Sequence, residues 1–247
     1  MTNKIILYGS TGHALAVREQ INRVFAHRGH DIVAYIDDYR ATENARVDGV
    51  PVIGFEQWRD EFRDIPVIIT VGDPRSRRKL AAKIEAAGGI FASMVGDWPS
   101  IAGDFRHGEG CFTGGPNYIG PNVRIGQHVQ VQPMAALGHD SKVGDFTTIC
   151  SSNIAGWVII EEEVFIGIGV AIVHGTEARP IRIGRGAYVC AGAVVTKSVP
   201  PGTKVAGNPA RDVSLAALRK RRWIASPSAR DDVRAQGSVN GIRQIKE

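Results

Sequence analysis

The order of apolar and polar residues divides the chain into two parts with different periodicities. In residues 1–95, short apolar runs alternate with stretches of helical character. The predicted strands are residues 4–8, 31–36 and 66–71, and the predicted helices are residues 14–26, 55–62 and 75–87. Strands that alternate with helices in this way predict a small parallel sheet with crossover helices, as in half of a Rossmann fold.

From about residue 101 the apolar residues recur at every sixth position. The series slips once after Ile149 and is interrupted once at residues 175–180. Its thirteen members are Ile119, Ile125, Val131, Leu137, Val143, Ile149, Ile154, Ile160, Ile166, Ile172, Ile183, Val189 and Val195. A six-residue period suits neither an α-helix nor a simple strand. It predicts a triangular parallel β-helix in which each hexapeptide forms one face, with roughly six coils.

Glycine is unusually frequent, with 29 residues in 247, or about 12% against an ordinary ~7%. Many of these glycines directly follow an apolar residue of the six-residue series, as Gly120 and Gly138 do. We expect them to lie at tight corners of the prism, where glycine is favoured because it accepts a positive φ.

Composition and charge exclude several classes of protein. The chain is 43% apolar and 22% charged, which excludes a disordered or fibrous protein. Residues 211–247 carry 9 Lys/Arg against 4 Asp/Glu, whereas the rest is nearly balanced, so we expect no nucleic-acid binding by the main body. No apolar run approaches the roughly 20 residues of a membrane span, and no signal peptide is evident. Three cysteines about 40 residues apart predict buried thiols in a reducing cytoplasm.

Four motifs together resemble one bacterial family. They are YGSTGH at residues 8–13, YIDD at 35–38, GHD at 138–140 and VAGNPAR at 205–211. The chain resembles the acetyltransferases that modify nucleotide-linked 4-amino-4,6-dideoxy sugars and their relatives that O-acetylate sialic acid, all with hexapeptide repeats. The resemblance covers about residues 3–211. It implies a Rossmann-like nucleotide-sugar domain at 1–95, a left-handed β-helix at 101–211, and a C-terminal helix and mobile tail at 212–247.

The resemblance also implies an activity. Acetyl would pass from acetyl-CoA to the sugar amine in bacterial surface-glycan synthesis, without a metal, in a cytoplasmic enzyme. Prisms of this kind use their flat faces as interfaces, so we expect a homotrimer.

The candidate nucleotide site lies at the strand ends of the first part. Small residues between a strand and a helix let a ligand approach the backbone, and a helix N-terminus favours an anion. The residues themselves equally suit a unit that only packs on the prism, and the resemblance favours nucleotide binding. The candidates are Gly9, Ser10, Thr11, Gly12, His13, Asp37, Asp38, Gly72 and Asp73. The incomplete glycine motif argues against bound NAD.

His139 is the candidate general base. An imidazole can accept the amine proton near neutral pH, and the adjacent Asp140 can fix its tautomer. By resemblance, Thr148 stands where relatives can carry a second histidine that contacts the donor, so that contact is made here by the Thr148 hydroxyl, by backbone or not at all. Gln132 likewise stands where a related enzyme has Asn near the sugar. The resemblance places the donor at Gly156, Ile168 and Ala191. Gly156 is the candidate oxyanion donor, and Lys197 and Arg211, with Lys204, are candidates for the 3′-phosphate or plain surface charges.

Three other functions compete with this prediction. The first is O-acetylation of a free sugar acid such as sialic acid. The second is a zinc hydratase built on His139 and His174, which lacks an evident third ligand because residue 179 is Arg. The third is a catalytically silent prism that serves as a binding scaffold.

Overall fold

The computed structural model describes residues 3–214 and residue 217. Met1–Arg211 forms one compact unit, which holds both the predicted sheet domain and the predicted prism. The predicted C-terminal helix and tail lie outside the described residues, apart from residues 212–214 and 217.

The first part is a five-stranded sheet with three helices. Its strands are β1 (Asn3–Tyr8), β2 (His30–Ile36), β3 (Arg46–Val47), β4 (Val50–Ile53) and β5 (Val67–Ile69). Its helices are α1 (His13–Arg23), α2 (Phe55–Glu61) and α3 (Pro74–Ala86), with a short 3₁₀ helix at Ala26–Arg28. The sheet order is β3-β4-β2-β1-β5. Strands β4, β2, β1 and β5 are parallel, so their carboxyl ends share one edge, and β3 pairs antiparallel with β4.

The second part is the predicted triangular prism of short parallel strands. These are β6 (Arg106–His107), β7 (Phe112–Thr113), β8 (Tyr118–Ile119), β9 (Arg124–Ile125), β10 (Gln130–Val131), β11 (Ala136–Leu137), β12 (Lys142–Val143), β13 (Thr148–Ile149), β14 (Asn153–Ile154), β15 (Val158–Ile160), β16 (Phe165–Ile166), β17 (Ala171–Ile172), β18 (Ile181–Ile183), β19 (Tyr188–Val189), β20 (Val194–Val195), β21 (Lys204–Ala206) and β22 (Arg211–Asp212).

The strands form three sheets, which are the faces of the prism. The first face carries β7, β10, β13, β16, β19 and β21 as successive rungs, in agreement with about six coils. The second carries β8, β11, β14, β17 and β20, and the third carries β6, β9, β12, β15 and β18. All thirteen residues of the six-residue series are at most 5% exposed. They form one continuous aliphatic core, and burial of this core is the main term that stabilises the prism.

The predicted reason for the glycine excess is wrong. The left-handed corners mostly hold other residues, at a step of six: Asn122, His128, Met134, Asp140 and Phe146 all have φ between 52° and 64°. The glycines after the apolar residues serve close stacking of the coils instead. A Cβ on Gly144 would lie 2.6 Å from the backbone nitrogen of Glu162, and one on Gly138 would lie 2.5 Å from the backbone of Ala155. Side chains do not fit between these rungs.

The sheet domain packs on the first face of the prism through a buried arginine. Arg77 of α3 is fully buried. Its guanidinium donates to the carbonyls of Val71 and Gly72 on its own side, and to those of His128 and Phe146 on the prism, at 2.6–3.1 Å. A planar group with five donors can join carbonyls of both parts in this way. The sheet edge therefore has a fixed position against the prism.

The burial of the three cysteines differs from one position to the next. Cys111 is buried as predicted, but Cys150 and Cys190 are only partly buried. Among residues 3–214 and 217, no helix has the length and apolar character needed to cross a membrane.

Candidate active site

His139 and Asp140 form a hydrogen-bonded pair at one corner of the prism. His139 lies two residues after the buried Leu137 of β11, and Asp140 occupies the left-handed corner position with φ 58°. The Nδ1 atom of His139 lies 2.6 Å from a carboxylate oxygen of Asp140, whose other oxygen accepts from the side-chain amide of Asn122 at 3.0 Å. The hydrogen bond from His139 lowers the pKa of Asp140. Asp140 is therefore an acceptor, Nδ1 of His139 carries the proton, and its Nε2 presents a lone pair.

A second imidazole, which was not predicted as part of a transferase site, lies against this pair. Nε2 of His174 is 3.2 Å from Nε2 of His139, and Nδ1 of His174 donates to the carbonyl of Gly175. The lack of a side chain at Gly156 makes space for both rings, since a Cβ there would lie 2.6 Å from Nε2 of His139 and 2.9 Å from Nε2 of His174. Within residues 3–214 and 217, no group of three or more His, Cys, Asp or Glu side chains is arranged to hold a metal ion.

The signal that could have found His174 is the register of the repeat. His139, Gly156 and His174 each follow a buried aliphatic residue by two positions, namely Leu137, Ile154 and Ile172. Those three residues occupy successive rungs of the second face. The interruption at residues 175–180 begins directly after His174. It therefore hides the equivalence of this position to residues 139 and 156.

A cavity of about 510 Å³ opens at the carboxyl ends of the sheet strands. Four of the predicted nucleotide-site residues line it: Gly9, Thr11, Asp37 and Asp38. Leu80 and Lys83 of α3, together with the fully exposed Tyr39, also line it and were not predicted. The cavity therefore combines carboxylates, a lysine and an apolar wall, which is a set of surfaces that suits a nucleoside.

The two carboxylates of the cavity are held in different ways. Asp37 accepts from the hydroxyl of Ser10 at 2.6 Å and from the backbone N–H of Tyr39 at 3.2 Å. Asp38 accepts from the Phe55 N–H at 2.7 Å and from Lys83 at 3.0 Å. Burial opposes ionisation of Asp38, but these hydrogen bonds lower its pKa below the ordinary value. Asp38 thus anchors the start of α2, whereas Asp37 keeps more of its accepting capacity free.

Several of the predicted substrate-site residues also have structural roles within the fold. Ser10 is 2% exposed and its hydroxyl donates to Asp37, so Ser10 positions this carboxylate. Asp73 caps α3 by accepting from the Ser76 N–H at 2.8 Å, and the Gly72 carbonyl accepts from Arg77. A Cβ on Gly9 would lie 2.8 Å from the Thr70 hydroxyl, so this glycine makes room for Thr70.

Gly12, His13 and Gln132 do not line the cavity. Gly12 is the N-cap of α1. The Nε2 atom of His13 lies 3.3 Å from the side-chain nitrogen of Gln132, which joins α1 to the prism. Burial, followed by the nearby Arg77, lowers the pKa of His13, so His13 is neutral at this junction.

The hydroxyl of Thr148, a predicted donor-site residue, is engaged within the fold. It is 2% exposed, and its hydroxyl donates to the Gly72 carbonyl at 2.6 Å and accepts from Arg77 at 3.0 Å. Its position on the first face puts it beneath the sheet domain, so the hydroxyl belongs to the contact between the two parts.

The other predicted donor residues are divided between two corners, and all of them except the buried Gly156 are exposed. Gly156 follows β14 of the second face and shares the corner of His139. Ile168, which is 62% exposed, and Ala191 follow β16 and β19 of the first face. Lys197 and Arg211 are exposed as well. One copy of the chain therefore does not gather all of these residues on one edge of the prism.

Comparison with known proteins identifies acetyltransferases that are similar to parts of this chain. Residues 4–84 match the family described as the PglD N-terminal domain. GDP-perosamine N-acetyltransferase of Escherichia coli O157:H7 is 42% identical over 96 residues, which are 38% of this chain and 43% of the relative. A 2,3,4,5-tetrahydropyridine-2,6-dicarboxylate N-acetyltransferase of Staphylococcus aureus is 49% identical over 59 residues, 24% of this chain and 23% of the relative. The chain thus spans less than half the length of these curated relatives.

Solved structures match over more of the chain. PerB from Caulobacter crescentus, in complex with CoA and GDP-perosamine, is 27% identical with a TM-score of 0.72, over 85% of this chain and 96% of that one. The acetyltransferase domain of PglB from Neisseria gonorrhoeae is 25% identical with a TM-score of 0.73, over 86% and 100%. These matches confirm the predicted resemblance to the nucleotide-sugar N-acetyltransferases with hexapeptide repeats.

Proposed function

We propose that this protein transfers acetyl from acetyl-CoA to the 4-amino group of a nucleotide-linked 4-amino-4,6-dideoxy sugar, in the cytoplasm and for bacterial surface-glycan synthesis. The observation that carries the proposal is the His139–Asp140 pair, whose geometry leaves a lone pair on Nε2 of a partly exposed imidazole. The cavity at the sheet edge provides the second requirement, a pocket for a nucleoside. The similarity to PerB, which was solved with CoA and GDP-perosamine, supports both the proposed acetyl donor and the proposed nucleotide-linked acceptor.

The proposed reaction needs one proton acceptor and one oxyanion donor. The sugar amine attacks the thioester carbonyl, and Nε2 of His139 accepts the proton that the nitrogen loses as the C–N bond forms. Asp140 stabilises the imidazolium that develops. The backbone N–H of Gly156 donates to no other described residue, and it lies beside His139, so it is the candidate donor to the oxyanion. The C–S bond then breaks, and CoA leaves as the thiol after taking up a proton.

The cavity would hold the nucleotide of the substrate. Asp37 is the candidate acceptor for a ribose hydroxyl or a base N–H, because its two described hydrogen bonds leave accepting positions free. Leu80 and Val71 offer an apolar wall to the face of the base. The diphosphate would lie toward Thr11 and Gly12 at the start of α1, where helix N–H groups favour an anion.

A homotrimer would bring the separated parts of the site together. The sheet domain packs on the first face around β10 and β13, whereas His139 lies at the far edge of the second face. The second face presents small or apolar side chains outward, among them Ala136, Ala171 and Val194. A neighbouring copy packed on this face would supply a groove for acetyl-CoA along Gly156 of one copy and Ile168 and Ala191 of the next, with Lys197 and Arg211 near the phosphate end. The left-handed winding implied by the resemblance suits this assembly.

A thiol-release assay with acetyl-CoA and a panel of aminosugars linked to UDP, GDP or dTDP tests the proposal. We expect turnover of at least one 4-amino-4,6-dideoxy sugar and no turnover of its 4-hydroxy counterpart. Turnover of free sialic acid in place of all of them would make the protein an O-acetyltransferase. Failure to bind acetyl-CoA in calorimetry would instead indicate a catalytically silent scaffold.

A further inference from the structure

Building on the function proposed above, we propose that His174 is the second half of the general base. The proton released by the substrate amine is held between Nε2 of His139 and Nε2 of His174. The reaction therefore uses a pair of imidazoles that lie two rungs apart, with Gly156 on the rung between them.

The tautomers of both rings follow from their other hydrogen bonds. Nδ1 of His139 faces the Asp140 carboxylate, and Nδ1 of His174 faces the Gly175 carbonyl. Both partners can only accept, so each Nδ1 carries a proton. A neutral imidazole has a single N–H, so both Nε2 atoms present lone pairs. Two lone pairs 3.2 Å apart form a hydrogen bond only when a proton lies between them.

The local sequence keeps this arrangement open to a substrate. Position 156, the equivalent of His139 and His174 on the rung between them, is glycine, and any Cβ there would contact both Nε2 atoms. The backbone of His139 is also held in place, because its carbonyl accepts a hydrogen bond from the Trp157 N–H at 3.0 Å. The His139 side chain is 46% exposed, and His174 is exposed. The shared position between the two rings is thus accessible to an amine.

The transfer requires only the amine, the thioester and the two imidazoles. The amine nitrogen forms a bond to the thioester carbon and loses one proton to the imidazole pair. The tetrahedral intermediate collapses, the C–S bond breaks, and the thiolate takes the proton back from the pair. His174 spreads the positive charge over two rings at the moment when it develops.

The kinetic test compares His174→Ala and His174→Gln with wild type and with His107→Gln. His107 is a matched control because its Nδ1 also contacts the following glycine carbonyl, at 2.7 Å, on an exposed corner of the prism. We expect kcat to fall by about 10- to 100-fold in both His174 variants, with KM for acetyl-CoA within about twofold of wild type. Added imidazole should restore His174→Ala. Unchanged kcat, or full activity in His174→Gln, which can hydrogen bond but cannot carry the proton, would overturn the proposal.

A second measurement does not depend on turnover. Nitrogen-15 NMR of histidine-labelled protein should show the Nε2 signals of His139 and His174 titrating in one joint step, and that step should change in His174→Gln. Independent titration of the two rings would refute a shared proton. So would a stoichiometric metal ion that is lost in His174→Gln, because a cation would then join the nitrogens. If the wild-type protein acetylates no aminosugar, the proposed function is wrong. The NMR titration still shows whether His139 and His174 share a proton.

Discussion

Two imidazoles meet at one corner of the prism, and each has its proton fixed by a different acceptor. Asp140 directs the His139 ring from the same corner, while the Gly175 carbonyl directs His174 two rungs further along. The chemistry proposed for the site therefore depends on two short local contacts and on one residue without a side chain, Gly156. Each contact can be removed separately, which makes the assignment testable at single positions.

Replacement of His139 should affect the chemical step and leave donor binding intact. We expect His139→Ala to lower kcat by roughly 10²–10⁴, the usual contribution of a general base. Asp140→Asn should lower kcat less, because it orients the ring and carries no transferred proton. Thiol release gives kcat, and calorimetry gives the affinity for acetyl-CoA, which should stay unchanged. A near-normal kcat in His139→Ala would mean that the amine loses its proton to water.

Asp37 and Asp38 are neighbours with different expected phenotypes. Asp37→Ala should raise KM for the nucleotide sugar with little change in kcat, because the carboxylate is proposed to contact only the nucleotide. Asp38→Ala should lower the melting temperature, because the Phe55 N–H and Lys83 lose their acceptor. Asp64→Ala is the control, since that side chain is 98% exposed. Equal effects of the two changes on KM would contradict this division.

His128 should make the protein sensitive to mild acid. It is fully buried between the rings of Phe91 and Phe146, and burial lowers its pKa to about 4. Between pH 6.5 and 4 the unfolded chain binds a proton that the folded chain excludes, so stability falls as the pH falls. The loss should approach roughly 3 kcal/mol. Thermal unfolding of His128→Phe across this range should lack that part of the acid dependence, whereas His107→Phe should retain it.

At the scale of elements, the repeat could be predicted because each rung obeys the same rule. A buried aliphatic residue every sixth position is visible in the sequence, and all thirteen are in the core. The role of the following glycines could not be read in the same way, because it depends on the distance to the next coil. Likewise, Thr148 meets Gly72 across 76 residues of sequence. Contacts of that kind follow from how the two parts pack, and no local pattern encodes them.

The stacking role of glycine predicts a difference between two simple substitutions. Gly144→Ala should destabilise the prism by about 1–3 kcal/mol, the usual cost of overpacking, because its Cβ would lie 2.6 Å from the Glu162 backbone. Gly103→Ala should be neutral or slightly stabilising, since Gly103 has open space and no positive φ. Urea unfolding of both variants measures the difference. Equal stabilities would argue against tight stacking as the reason for glycine at position 144.

At the scale of the molecule, the buried Arg77 fixes the cavity relative to the prism. Its hydrogen bonds join carbonyls at the strand ends to carbonyls on successive rungs of the first face. The pocket at the strand ends therefore has a fixed position relative to the first face. His139 lies at an edge of the second face, so a substrate that spans pocket and base would be shared between two copies in the proposed trimer.

Mixing two defective variants tests this arrangement directly. His139→Ala retains an intact cavity, and Asp37→Ala retains an intact base. If each site takes its cavity from one copy and its base from another, trimers reassembled from an equal mixture should contain about one quarter fully intact sites. Thiol release, measured at sugar concentrations well below KM for Asp37→Ala, should then exceed the sum of the separate variants. Activity that stays at that sum after subunit exchange is verified would place cavity and base in the same copy, and the proposed shared site would be wrong.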